Sequence, residues 1–299
     1  MGGDRSRHGS AAGRRGGSVL VALLAINAAV ACLALHNACI KALAGDYPIG
    51  QVVFLRNLFA LLPIAAVIAL GRGGWRLERR NWPLHLLRAV AILGASASFF
   101  LALRFLGLAE ATAIGFASPF IIAALSVPLL GERVGWRRWA IIGFGFLAVL
   151  IILQPGTAAF QPAALLPLVA AFGYALSMVL SRRLSRSDSD GAVMLLPTLF
   201  VLVVSLSSAP FGWRLPSGPD WGLFAVIGLL AGLAYAGVTL AYRRAEASLV
   251  GSFEYAALLW SVLLGWLIWQ ELPGPAVILG SLLLVAAGLA LILREARAA

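Results

Sequence analysis

Charged residues punctuate this sequence instead of being spread along it, and the long apolar runs between them decide what the chain can fold into. From Val19 to Leu43 the only charge is Lys41, and from Ile49 to Leu70 it is Arg56. As helices, both runs are long enough to cross a bilayer. Such runs recur to the C-terminus. Ten candidate spans can be marked, at about 18–43, 49–70, 84–106, 110–130, 136–153, 161–181, 190–209, 221–241, 246–269 and 275–293. Breaker-rich or charged stretches separate them, among them GRGGWRLERRNWP, QPGTAAFQP, SRRLSRSDSD and QELPGP. Only 12% of residues are charged and 61% are hydrophobic, too little polar surface to keep a globule in water. The expectation is an all-α polytopic membrane protein with the lipid bilayer as its solvent.

A net charge of +11 in a soluble chain would suggest nucleic acid. Here the basic residues sit in the gaps, so membrane topology explains them and no nucleic-acid partner is expected. With the N-terminus inside, the cytoplasmic side receives Arg5, Arg7, Arg14 and Arg15, then Arg72, Arg76, Arg79 and Arg80. It also receives Arg133, Arg137 and Arg138, then Arg182, Arg183 and Arg186, then Arg243 and Arg244, and finally Arg294 and Arg297. The other side receives Lys41, Arg104 and Arg214. Arg56, Arg88 and His85 lie near span ends and are read as snorkelling outward. This asymmetry predicts ten spans with both termini cytoplasmic. Residues 1–17, polar, Gly-rich and basic, read as a disordered cytoplasmic tail. The run after them is longer than a signal-peptide core, so a retained first helix is expected, with a cleaved signal as the alternative. Cys32 and Cys39 lie about 10 Å apart along one helix, too far for a disulfide, and read as packing residues.

The halves 18–153 and 154–299 resemble each other. Ala109-Glu110-Ala111-Thr112 aligns with Ala245-Glu246-Ala247-Ser248, Gly115 with Gly251, Glu132 with Glu271 and Gly135 with Gly274. Five spans per half is an odd number, so the second half is expected upside down relative to the first. Inverted five-helix repeats point to a secondary transporter with its site at the repeat interface near mid-bilayer.

GSFEYA, residues 251–256, places Glu254 in the middle of span 9. A charge there costs about 2.5–3.5 kcal/mol on insertion scales, so it faces protein or water. Ala247, Gly251, Glu254, Leu258, Ser261 and Gly265 share one helical stripe with it. Two readings stay open for Glu254, a protonated acid bonded to a neighbouring helix and a substrate-amine or proton site. Glu110 and Glu246 read as helix-start residues, and Glu132 and Glu271 as topological or gating residues. His36 reads as a helix-to-helix hydrogen bond or a cavity residue, and Asn37 with Lys41 as a structural pair. Tyr174, Tyr235 and Tyr255 are mid-membrane hydroxyls that need partners. No Walker A motif, metal-ligand spacing or G-x-S-x-G is present, so no ATP drive, metal, cofactor or catalytic residue is expected and the chain does not read as an enzyme.

The segments ALRF…AEATAIGFASPFIIAALSVPLLGE and AYRRAEASLVGSFEYAALLWSVLLGWLIWQEL resemble the drug/metabolite transporter superfamily, specifically its EamA type with ten helices from two five-helix repeats. The resemblance implies a helical basket around a cavity lined by helices 1, 3, 4, 6, 8 and 9. Many members export amino acids from bacteria, and the chain looks similar to the aromatic amino-acid exporters. It implies a secondary exporter of amino acids, aromatic or large neutral ones included, in the bacterial inner membrane, working by alternating access, for which a monomer can suffice. Candidate substrate-binding residues are Glu254, Tyr255, Tyr235, Tyr174, Phe99, Ser118, His36 and Asn37, with Glu254 also the candidate for proton coupling. Alternatives are an importer of a nucleoside-like or vitamin-like metabolite and a polytopic membrane enzyme acting on lipid. The family often has Glu-Pro where this chain has Glu254-Tyr255. That removes the proline reason for a kink in span 9 and sets a tyrosine beside the carboxylate.

Overall fold

The computed structural model describes the backbone of residues 5–70, 76–132, 135–244 and 247–298. The described chain is a succession of helices: α1 (Arg5–Leu43), α2 (Ile49–Leu70), α3 (Trp82–Ala102), α4 (Leu108–Gly115), α5 (Ser118–Leu130) and α6 (Trp136–Leu153). They are followed by α7 (Leu165–Leu184), α8 (Asp190–Leu206), α9 (Gly218–Arg244), α10 (Ala247–Glu254), α11 (Ala256–Trp269) and α12 (Pro275–Ala298). Among the described residues, 8 helical stretches are long and apolar enough to cross a membrane, with α4–α5 and α10–α11 each counting as one. Two shorter apolar helices, Trp139–Leu153 and Gly191–Leu206, occupy the fifth and seventh expected spans. The backbone of α1 is helical from Arg5, within the stretch expected as a disordered tail, and its membrane-length part begins at Val19.

The largest helix contacts join the two halves of the chain. α1 packs on α9 and α11, α3 on α7, α2 on α8, and α6 on α12. Exchanging each helix for its counterpart in the other half turns the α1–α9 contact into the α7–α3 contact. The same exchange turns the α2–α9 contact into the α8–α3 contact, and both are present. Gly228 and Gly232 let α9 approach α2 closely, because a Cβ at either would collide with Phe59 or Pro63.

Polar loops are tied together at each end of the bundle. At one end the Tyr47 hydroxyl donates to Asp220 (2.6 Å) and Arg104 donates to the Tyr47 carbonyl (2.6 Å). At the other, Asp188, between α7 and α8, accepts from the Glu78 N–H (3.0 Å) and from Asn81 Nδ2 (3.1 Å), and pairs with His85 Nε2 (2.7 Å). His85 and Arg88 were expected to snorkel outward. Both are buried instead. Asp188 meets the imidazole, and the carbonyls of Ser177 and Val193 meet the guanidinium. Acceptors on α7 and α8 lie within reach of these heads, so neither has to climb to water.

Candidate functional site

Two helix breaks meet in the interior. The first separates α4 from α5 at Phe116 and Ala117. Pro119 supplies no N–H, so the Gly115 carbonyl loses its helical partner and the ladder cannot run through. The second separates α10 from α11 at Tyr255, which aligns with Pro119 and so falls two to three residues beyond the first break. No proline stands there, and the helix breaks without one. The Leu258 N–H closes a tight i→i+3 bond on the Tyr255 carbonyl (3.1 Å). The Tyr255 ring stacks on Phe116, with centroids 5.0 Å apart and planes at 25°. Packing between the halves accompanies the second break where proline accompanies the first.

Tyr255 is buried, and its hydroxyl sits where a Cβ on Gly288 of α12 would fall. Phe116 packs against both apolar clusters of the bundle. Phe99 lies against Gly115, about 3.8 Å from where its Cβ would stand. Glu254 is the last residue of α10 and partly buried, near enough for its charge to act on Tyr255 and on Tyr174 of α7. Tyr174 is half exposed. The structure sets Glu254 and Tyr255 at the second break, with Phe99 against the first break and Ser118 opening α5 just beyond it, and leaves Tyr174 within electrostatic range of Glu254. Among the described residues, Glu254 is the acid at this junction.

Other candidates are placed elsewhere. His36 is buried, and its Nδ1 is 2.9 Å from the Ile227 carbonyl on α9, the helix-to-helix reading of that residue. Asn37 follows it on α1, partly buried. The side chain of Tyr235 lies outside the described residues, as does Glu246. Glu110 stands in the first turn of α4, where a helix-start acid sits. Cross-helix polar bonds surround the junction: Trp260 Nε1 donates to Asn27 Oδ1 (3.1 Å), and Ser261 Oγ donates to Thr112 Oγ1 (3.1 Å).

Among the described residues, an ion pair between the halves stands at each end of the bundle, in addition to the His85–Asp188 contact. Lys41, expected to pair with Asn37, pairs with Glu271 at 2.6 Å, because its long stem reaches across to the end of α11. It also donates to the Leu106 carbonyl (2.9 Å) and lies 5.0 Å from the Trp269 ring centroid. The Leu108 N–H donates to Glu271 (3.3 Å). This cluster lines an outward cleft of about 320 Å³ together with Arg104 and Glu110. At the opposite end Arg182 and Glu132 stand 3.5 Å apart, with Arg182 63% exposed.

The two acids sit in the same local fold. Each follows a left-handed cap, Gly131 (φ 72°) or Gln270 (φ 58°). Each donates its N–H to the carbonyl six residues back, Glu132 to Ser126 (3.3 Å) and Glu271 to Gly265 (3.1 Å). The cations match too, since Lys41 and Arg182 each stand two residues before the end of their helix, α1 and α7.

Arg56 is the residue that sequence reading missed. Its guanidinium does not snorkel. It donates to Ser96 Oγ on α3 (3.3 Å) and lies 5.4 Å from the Phe100 ring centroid. The available signal was its place, two turns inside span 2 instead of at its end. Among the described residues no cluster of three or more His, Cys, Asp or Glu side chains is arranged to hold a metal.

A bundle of membrane-length helices, closed at each end by an ion pair between halves and holding a charged, aromatic junction inside, defines a polytopic carrier. The EamA-like transporter family model matches the chain twice, at residues 20–154 and 161–294, and the chain belongs to that family. It is 32% identical over 256 residues to a riboflavin transporter of Rhizobium johnstonii, covering 84% of this chain and 83% of that one. It is 26% identical to an S-adenosylmethionine uptake transporter of Rickettsia felis (83% and 84% covered). It is 27% identical to a pseudopaline exporter of Pseudomonas aeruginosa (85% and 90% covered). A protein of known crystal structure superposes with TM-score 0.60 over 93% of this chain and 98% of its own, at 23% identity, a likeness of fold alone. The chain is a multi-pass membrane transporter for a small-molecule substrate.

Proposed function

We propose that this chain is a secondary transporter that exports amino acids, aromatic or large neutral ones included, across the bacterial inner membrane. The observation that carries the reading is the junction of the two helix breaks. There Glu254 stands beside the stacked Phe116 and Tyr255 rings and within electrostatic reach of Tyr174. A carboxylate among aromatic faces suits a solute with an amine and an apolar body. Tyr255, Tyr174, Phe99 and Ser118 would contact that body, with Tyr235, His36 and Asn37 as further candidates. Glu254 would hold the amine or carry the coupling proton.

Alternating access is the mechanism this architecture favours. Two tandem matches to one family model, the exchange symmetry of the helix contacts and the twin capped acids support ten spans in two inverted repeats, with units near 18–153 and 154–299. The Arg-rich end would then be cytoplasmic, with both termini there. Lys41–Glu271 would latch the outer end and Arg182–Glu132 the inner one. The short, shielded outer pair beside the longer, exposed inner pair supports a state shut more firmly outside.

A vitamin-like solute is the second reading, favoured by the relative that transports riboflavin. Proteoliposomes loaded with phenylalanine, tryptophan, riboflavin or S-adenosylmethionine separate the two. Release of the aromatic amino acids is expected. Movement of riboflavin alone would overturn the amino-acid reading. In the same assay Glu254→Gln should slow transport or flatten its pH dependence. Transport unchanged across pH would leave Glu254 a structural role only.

A further inference from the structure

Lys41, Arg56 and Arg88 are cations of the first half carried by α1, α2 and α3, and two of them are fully met. Lys41 has Glu271 and the Leu106 carbonyl. Arg88 has the carbonyls of Ser177 and Val193. Arg56 differs. Its Nε is buried with no hydrogen-bond partner, and no ion pair to it occurs among the described residues. Ser96 accepts from one terminal nitrogen, and the Phe100 ring flanks the guanidinium. A hydroxyl and a ring face orient a guanidinium without neutralising it. A charge retained in this way inside a membrane bundle marks a functional group.

We propose that Arg56 is the anion-holding residue of the solute site and takes a carboxylate of the transported molecule. Its planar fork matches a carboxylate with two parallel N–H donors, and the unpartnered Nε is one of them. The proposal rests on the amino-acid reading above and deepens it. Glu254 supplies the negative group for the amine, and Arg56 supplies the positive group for the carboxylate. The helices that carry them are linked by packing, α2 on α9, and α10 on both α9 and α1. The arrangement selects zwitterionic solutes over amines.

The test uses the full-length protein in detergent, as wild type, Arg56→Gln and Arg56→Lys. Thermal unfolding is followed with L-tryptophan, with indole-3-propionate, which lacks the amine, and with tryptamine, which lacks the carboxylate. Indole-3-propionate and tryptophan should raise the wild-type melting temperature by mass action. In Arg56→Gln their apparent affinities should fall roughly 10- to 100-fold, the scale of one charge-assisted hydrogen bond, with the tryptamine response unchanged. Ligand-free Arg56→Gln should melt no lower than wild type, because an unpaired buried charge has been removed. A structural arginine would give the opposite result. If Arg56→Gln does not fold, Arg56→Lys keeps the charge and loses the fork, and several-fold weaker indole-3-propionate binding is expected. Indole-3-propionate binding that is absent from wild type, or equal in the variants, overturns the proposal.

A tryptophan flux assay separates this proposal from the reading beneath it. Arg56-dependent indole-3-propionate binding without tryptophan flux removes the amino-acid reading and keeps the anion site. Tryptophan flux that Arg56→Gln leaves intact does the reverse.

Discussion

Tyr255 is where a single side chain decides the most. It lies at a helix break that no proline enforces, its ring on Phe116 and its hydroxyl against Gly288. The hydroxyl occupies the space a Cβ at position 288 would need, so Gly288→Ala should destabilise the protein by about 1–3 kcal/mol, as overpacking does. Adding Tyr255→Leu removes the hydroxyl and also the ring carbons that would stand 2.2 and 2.9 Å from that Cβ, and should recover part of the loss. A double-mutant cycle of melting temperatures in detergent checks this, and strictly additive effects would rule out the contact. The sequence shows Glu254 as an anomaly and Tyr255 as a substitution for proline. It does not show the stack, because Phe116 and Tyr255 are 139 positions apart and meet only through packing of the two halves.

Among the elements, the ion pairs and the loop latch set what can move. Lys41→Glu would place two carboxylates where a 2.6 Å pair now stands, and should slow transport at least about tenfold. Lys41→Glu with Glu271→Lys should restore part of it, short of all, because Lys41 also serves the Leu106 carbonyl and Glu271 the Leu108 N–H. Flux in proteoliposomes is the readout.

At the other end Asp188 ties the loop before α8 to the start of α3. Burial pushes its carboxyl up, but the Glu78 N–H, His85 and Asn81 outweigh that and hold it below the usual carboxylate value. A depressed carboxyl stabilises the fold above its unfolded pKa of about 3.9, and that stability is lost as pH falls through the lower folded value. Asp188→Asn should therefore lower the melting temperature at pH 7, and the difference should shrink as pH drops below about 4. A pH-independent difference would assign the effect to packing alone.

For the whole molecule, the packing pattern makes the halves interdependent. The largest contacts run between them, α1 with α9, α3 with α7, α6 with α12 and α2 with α8. Residues 1–154 expressed alone should fail to give a stable, monodisperse membrane protein. Co-expressed with residues 155–299, which leaves the 154–161 connection cut, they should reassemble. Size-exclusion chromatography in mild detergent reads this directly, and a stable lone half would contradict the interlocked arrangement.

The all-helical, multi-pass character of the chain and the order of its apolar runs follow from the sequence by itself, because lipid forbids unpaired backbone and charge, and so apolar run length is a direct physical constraint. The twin Ala-Glu-Ala-[Thr/Ser] and later Glu-x-x-Gly segments also point to a repeat without any coordinates. Only the tertiary structure decided which polar groups meet. Arg56 and Arg88 look alike in the sequence, each a single arginine within an apolar span. One finds two carbonyls and the other a serine and a ring. Lys41 has a residue one turn away to pair with, yet pairs with one 230 positions off. Such pairings depend on which faces the helices turn toward each other, a property of the assembled bundle that no local pattern encodes.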